Sequence, residues 1–206
     1  MTKFCDFGEI LTKIAMPCVV LSGGMGRRMG QLKQNLPICD STLADFQAKH
    51  LKQVFINVYF SAKTRIVNAY GVPTILDDNK IESTTIFNPD FTAPIFGLRS
   101  ALEALKCDIF ILSIDAPFFD DAAIKVVFEA FNGNAIFAKN AKIHPLLGIY
   151  PFESLSQIKA QIAAKNYRLT HLLSAINAEF VEIPESKTRN LNRYTDYQNA
   201  CIDLIN

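Results

Sequence analysis

Short continuous apolar runs alternate with amphipathic stretches almost from one end of the chain to the other. Cys18–Leu21 is an unbroken apolar run stopped by Ser-Gly-Gly, as expected of a strand buried on both faces. Residues 42–52 carry Leu43, Phe46 and Leu51 at helical spacing, which predicts a helix with Ser41 as its N-cap. Residues 54–60 read as a second strand, 63–70 as a helix closed by Gly71, and 72–76 as a third strand ending in Asp77-Asp78. Residues 79–94 are polar, punctuated by proline and without period, so they read as a long functional loop. Beyond it come a helix at 95–105, a very apolar strand at 108–114, a helix at 121–131, strands at 135–138 and 146–150, helices at 152–165 and Leu169–Ala175, a strand at 180–183 and a closing helix at 195–205. Strand followed by helix, four times over, predicts an α/β fold with a mostly parallel central sheet and helices on both faces. Ligands of such sheets sit beyond the carboxyl ends of the strands. The chemistry is therefore sought in residues 22–33 and 57–61, at Asp77, Asp78 and Asp115, and after Ile183.

No internal repeat or linker interrupts the 206 residues, so the expectation is a single domain spanning 1–206 with a short amphipathic lead-in at 1–15. Lys and Arg total 21 against 20 Asp and Glu, a net charge of +1. That balance argues against a partner in nucleic acid or in an anionic membrane surface, both of which need surplus positive charge. No run approaches the ~18 apolar residues of a membrane span. Asp6, Glu9 and Lys13 break up any apolar stretch near the N-terminus, so a signal peptide is not expected. Five scattered cysteines, with no CxxC and no Cys/His cluster, read as reduced thiols of a cytoplasmic protein.

The strongest local signal is Leu21-Ser-Gly-Gly-Met-Gly-Arg-Arg-Met-Gly30, directly after the first strand. Gly23, Gly24 and Gly26 let the backbone approach a bound group and turn amides toward it, while Arg27 and Arg28 add positive charge. A polyphosphate suits such a loop. The dinucleotide GxGxxG and the P-loop GxxxxGK[ST] both fail on spacing, because Gly24 and Gly26 are followed by Arg-Arg-Met and Gly30 by Gln31-Leu32.

With Lys33, the loop resembles the LxGGxxxRMG…K signature of the nucleotidyltransferases that include nucleotide-sugar pyrophosphorylases and their molybdenum-cofactor relatives. Within that group the chain is most similar to the molybdenum cofactor guanylyltransferase family. The resemblance runs from Pro17 nearly to the end. It is also carried by Phe91-Thr-Ala-Pro-Ile-Phe-Gly97, Ser113-Ile-Asp-Ala-Pro117, His144-Pro145 and Asn190-Leu-Asn192. It implies the three-layer Rossmann-like fold of the nucleotide-diphospho-sugar transferases and transfer of GMP from GTP to molybdopterin, with Mg²⁺ as cofactor. Product handover to apo-molybdoenzymes or their chaperones is also implied. By the same resemblance Leu21, Ser22, Gly23 and Gly24 present main-chain groups to the nucleotide, and Asn57 and Asp77 complete the base and ribose pocket. Arg28 and Lys33 neutralise the triphosphate, Asp115 holds the metal, and Asn192 is a second polar group near it. Two departures accompany the match. Gln31 and Leu32 stand where the family has an acidic residue ahead of the loop lysine, leaving Lys33 one position early, and the segment 78–90 is longer than its counterpart.

The residues suit the chemistry. Both reactants of nucleotidyl transfer are anions, so cationic groups and a metal must bring negative charges together. A single carboxylate after an apolar strand matches Mg²⁺, which keeps several waters and takes one or two protein ligands. Structural readings stand beside these: Asp115 as a helix cap ahead of Pro117, Asp77 and Asp78 as turn residues, His144 as a core histidine, Asn190 and Asn192 as loop formers. Three functional alternatives also remain at this level. They are transfer from CTP, transfer to a sugar or polyol phosphate, and a non-catalytic nucleotide-binding protein in which the early Lys33 has lost its place.

Overall fold

Each apolar run ends where a polar residue meets the rim of one central sheet. The computed structural model of the chain describes residues 13–22, 32–77 and 93–204. Among these, the strands are β1 (Cys18–Leu21), β2 (Pro37–Ile38), β3 (Ser41–Thr42), β4 (Val58–Ala62), β5 (Thr74–Leu76), β6 (Ile109–Ser113), β7 (Ile136–Lys139), β8 (Ile143–Tyr150) and β9 (Glu179–Glu182). The helices are α1 (Leu43–Val54), α2 (Pro94–Leu105), α3 (Asp121–Glu129), α4 (Ser154–Ala163), α5 (Leu169–Ala175) and α6 (Tyr194–Asp203). Seven of the described strands form one sheet in the order β5-β4-β1-β6-β8-β7-β9, while β2 and β3 make a separate two-residue hairpin. All sheet neighbours are parallel except β8, which runs antiparallel to β6 and β7. The fold is the mostly parallel α/β sandwich expected, with one reversed strand that the apolar pattern gave no means of orienting.

Side chains that alternate along the strands divide the core into two layers. Cys18 and Val20 of β1, with Phe110 and Leu112 of β6, pack against Leu43, Ala48 and Leu51 of α1 and Ile124 and Val127 of α3. Val19 and Leu21, with Ile109 and Ile111, face Ile95, Leu98 and Leu102 of α2, Ile158 and Ile162 of α4 and Leu172 of α5. β1 is buried along its whole length and hydrogen-bonded on both edges, which explains its purely apolar sequence.

Several boundaries differ from the sequence reading, each for a local reason. The cap of α1 is Thr42, not Ser41: its hydroxyl accepts from the Asp45 N–H. α1 continues through Val54, so the apolar stretch 54–60 is split and β4 begins only at Val58. Residues 63–70 form no helix. Their backbone is engaged by polar side chains, with Asn68 Oδ1 accepting from Tyr70 and Val72 N–H, Asp45 Oδ1 from Ala69 N–H and Thr74 Oγ1 from Ile66 N–H. Gly71 does adopt the left-handed conformation, at φ +64°. Most of the lead-in, the glycine-arginine loop from Gly23 to Gln31 and the long segment from Asp78 to Thr92 lie outside the described residues.

Gly148 of β8 sits where a Cβ would lie 2.2 Å from the Ile136 carbonyl oxygen and 2.8 Å from Phe137 Cα. Those are backbone atoms of the paired strand and cannot swing aside. Gly148→Ala is expected to cost about 3 kcal/mol, the upper range for overpacking. A shifted urea midpoint at unchanged slope checks this; an unshifted midpoint refutes it.

Candidate active site

The register of the central strands brings their last residues into one line. Leu21 pairs with Ser61 of β4 on one side and with Ser113 of β6 on the other. The next links continue that line: Ser22 N–H donates to the Ser61 carbonyl at 2.9 Å and Ile114 N–H to the Leu21 carbonyl at 3.0 Å. Because β5 is parallel to β4, Asp77 emerges on the same rim, its N–H bonded to the Ala62 carbonyl. β8 runs the other way, so its beginning, not its end, reaches this edge beside β6.

Asp115, 8% exposed, follows the most apolar strand. Ser113 Oγ–H donates to its Oδ1 and the Lys33 ammonium to its Oδ2, each at 2.5 Å. An unpaired carboxylate at this depth would be costly, and these two donors answer it. Lys33 is delivered by a 3₁₀ turn at Lys33–Asn35. The turn is pinned by Gln34, whose buried Oε1 accepts from Ser22 Oγ–H at 3.0 Å, and by the buried Leu36. Lys33, read as one position early, therefore reaches the carboxylate at the end of β6. Its early position in the chain does not keep it from this rim.

Asp77 is the second buried-edge acid. Ser61, fully buried, donates from Oγ to Asp77 Oδ1 at 2.5 Å. Burial raises the Asp77 pKa above its ordinary value, opposed by the Ser61 hydrogen bond and the Lys63 charge. Helix α2 closes over this corner at Gly97, where an added Cβ would stand 2.9 Å from both Leu21 Cδ2 and Ser61 Oγ. Only glycine lets the helix approach so near.

The chain after β9 returns to the site. Leu191 N–H donates to the Asp115 carbonyl at 2.8 Å, which sets Asn190 and Asn192 on either side of the buried Leu191. Asn190 lines a cavity of about 370 Å³ together with Ser113, Asp115 and His144, and its buried Oδ1 has no hydrogen-bond partner among the described residues. Asn192 is exposed and donates its N–H to Asp196 Oδ2, which serves the start of α6. Of the pair, the cavity takes Asn190. A buried unpaired amide oxygen and a carboxylate on one cavity are hard donors of the kind Mg²⁺ accepts, and few in number, as Mg²⁺ prefers. Among the described residues no cluster of three or more His, Cys, Asp or Glu side chains is present.

Asn57 is a correction. It precedes β4 and is exposed, and its carbonyl accepts from Cys18 N–H, so it lies at the amino end of the strands, opposite Asp77 and Asp115. The reading of 54–60 as one strand moved the strand end onto the wrong residue. Ser61, not Asn57, is the β4 residue level with the carboxyl end of β1. Leu21, Ser22, Lys33, Asp77 and Asp115 are brought to one rim; Gly23, Gly24, Arg28 and Asp78 lie outside the described residues. The sequence reading gave no role to Ser61, Ser113 or Gln34: Ser61 fell within the stretch 57–61 marked for chemistry and Ser113 within a quoted motif, while nothing marked Gln34.

No helix among the described residues is long and apolar enough to cross a membrane. A MobA-like NTP transferase domain model matches residues 18–179. A molybdenum cofactor guanylyltransferase of Campylobacter jejuni is 34% identical over 188 residues, covering 88% of this chain and 93% of that protein. A probable molybdenum cofactor guanylyltransferase of Aquifex aeolicus is 32% identical over 170 residues, covering 82% and 80%. Among solved structures, the molybdopterin-guanine dinucleotide biosynthesis protein A of Archaeoglobus fulgidus has a TM-score of 0.75 at 18% identity, over 92% of this chain and 99% of that one. The 2-C-methyl-D-erythritol 4-phosphate cytidylyltransferase of Thermus thermophilus follows the same fold, with a TM-score of 0.66 at 12% identity over 95% and 100%. The family model spans most of the chain and covers β1 through the start of β9 together with Lys33, Asp77 and Asp115, so the chain belongs to the MobA-like NTP transferase family and is a nucleotidyltransferase.

Proposed function

We propose that the chain transfers GMP from GTP to molybdopterin, releasing pyrophosphate, at the shared rim of β1, β4 and β6. The observation that carries this reading is the Lys33–Asp115 pair held beside a cavity at the end of β6. The names of the 32–34% identical relatives support the choice of nucleotide and acceptor. An oxygen of the acceptor phosphate attacks the α-phosphorus of GTP; one phosphorus–oxygen bond forms, and the bond to the leaving pyrophosphate breaks. The nucleophile is already an anion, so no general base is needed.

Lys33 lowers the repulsion between the two anionic reactants and stabilises charge gathering on the pyrophosphate. Arg28 is proposed to assist from the glycine-rich loop. The main chain of Leu21, Ser22, Gly23 and Gly24 would line the nucleotide. Asp77 accepts from the N1–H and 2-amino group of guanine, as carboxylates do toward base-edge donors. Ser61, by occupying Oδ1, fixes how that carboxylate is presented. Asp115 and Asn190 would hold Mg²⁺, which when bound supplies charge neutralisation along the polyphosphate. Hand-over of the product to apo-molybdoenzymes or their chaperones belongs to the same proposal.

The direct test measures pyrophosphate release from GTP, CTP, ATP and UTP, each with Mg²⁺ and with or without molybdopterin. Release with GTP and molybdopterin together is expected. Release with CTP, or with a sugar or polyol phosphate in place of molybdopterin, moves the substrate and refutes the guanylyl assignment. Lys33→Ala and Asp115→Ala are each expected to lower turnover by roughly 100-fold or more while remaining folded. Full activity in either folded variant removes that residue from the mechanism.

Asp77 links function to stability. Its folded pKa is raised above 3.8, so the native state holds this proton more tightly than the unfolded chain does. Stability contributed by the protonated form is therefore lost as pH rises from 3.8 through the folded value. Asp77→Asn removes that loss. Wild type and variant should be similarly stable at the acid end, and the variant should gain on wild type as pH rises toward neutrality. The same variant should discriminate GTP from ATP about tenfold less well, having exchanged an acceptor oxygen for a donor. Parallel urea titrations across pH, and a stability difference that does not change with pH, would disprove the first expectation.

A further inference from the structure

β8 places His144 in the wall of the cavity beside Asp115, 6% exposed. The hydrogen bonds behind it determine which ring nitrogen carries the proton. Lys142 backbone N–H donates to Asn140 Oδ1 at 3.1 Å, which identifies that atom as the amide oxygen. Asn140 Nδ2 then donates to Thr188 Oγ1 at 2.7 Å, and the Thr188 hydroxyl donates to the Glu185 carbonyl at 3.3 Å. Thr188 is 1% exposed, so Asn140 Nδ2 is anchored on a buried hydroxyl. His144 Nε2 lies 3.2 Å from the same Asn140 Oδ1. An amide oxygen can only accept, so Nε2 must bear hydrogen and donate. Burial and the Lys142 charge, against a weaker opposing pull from Glu185, lower the His144 pKa and favour the neutral ring. Nδ1 is then an unprotonated acceptor, and it makes no hydrogen bond among the described residues.

His144 and Asn190 both line this cavity. Its other walls include Ser113 and Lys142 together with Pro94, Pro145, Leu146 and Leu169. The apolar walls suit the faces of a flat ring, and an unprotonated Nδ1 suits an N–H on its edge. We propose that His144 is the residue that recognises the acceptor substrate, taking a hydrogen bond at Nδ1 from an N–H of a flat heterocycle, with Asn140 and Thr188 as the positioning residues that hold the ring in its Nε2–H form. This rests on the transfer reaction above but assigns a residue to the half of it that the nucleotide does not occupy.

The test has a spectroscopic arm and a kinetic arm. Long-range ¹H–¹⁵N correlation of the wild-type protein reads the tautomer directly. The expected result is protonated Nε2 with a bare Nδ1, whose ¹⁵N signal moves when molybdopterin is added. A ring protonated at Nδ1, or a signal indifferent to molybdopterin, overturns the proposal. In kinetics, His144→Phe should raise the molybdopterin KM about tenfold while leaving the GTP KM unchanged. Asn140→Leu should give a mixture of His144 tautomers and a similar one-sided rise. An unchanged molybdopterin KM in folded His144→Phe, or equal effects on both substrates, also overturns it. A wild type that transfers GMP to no acceptor sinks the catalytic reading alone, and the proposal is then decided by the ¹⁵N response of Nδ1.

Discussion

Strand β1 has no free edge and no exposed face, so nothing polar can happen along it. Its four residues are covered on one side by the layer of α1 and α3 and on the other by that of α2. β4 and β6 pair with it residue for residue. Because both run parallel to it, Ser61 and Ser113 flank Leu21 and Ser22 follows one residue on, so three polar positions appear together where the apolar layers end. The site follows from that alignment. A one-residue slip of β4 or β6 would turn each strand's buried face toward the opposite layer, so the core that stabilises the sheet also keeps these three residues level.

Charge enters this rim only where it is answered. Asp115 is nearly buried and is met by Ser113 and Lys33; Asp77, less buried, is met by Ser61. The two acids differ in consequence. The lysine that compensates Asp115 is also the cation that two anionic reactants require. Asp77 instead retains a raised pKa, so it is a carboxylate kept at some expense to the fold. Native proteins tolerate such local conflict mainly at functional sites.

The same economy governs the cavity next to Asp115. β8 is antiparallel, and for that reason its first residues, not its last, lie level with the end of β6. His144 is thereby brought to the side of the site away from Asp77. The polar residues behind it, Asn140 and Thr188, come from the β7–β8 turn and from the segment after β9, elements distant in sequence. Leu191, bonded to the Asp115 carbonyl, draws that segment in and carries Asn190 to the cavity.

Much of this was readable in the chain. Continuous apolar runs at Cys18–Leu21 and near 108–114 are what strands buried on both faces require, and a glycine-arginine loop after the first suits a polyphosphate. Asp77 and Asp115 were visible as acids directly after strands, where ligands of such sheets sit, and Asp115 also because an unpaired carboxylate after so apolar a run is costly. What failed did so where short-range pattern is blind. Residues 63–70 have helical spacing, yet Asn68, Asp45 and Thr74 satisfy their backbone in another way. Asn57 seemed to end a strand because helix α1 and strand β4 share one apolar stretch. The sequence by itself determined the layers, the order of elements and the acids at the strand ends, because periodicity and burial are local properties of the chain. Only the tertiary structure decided that β8 is reversed, that Ser61 and not Asn57 stands at the rim, that Lys33 meets Asp115 and that Asn190 joins His144, because hydrogen-bond partners far apart in the chain are chosen by strand register and direction.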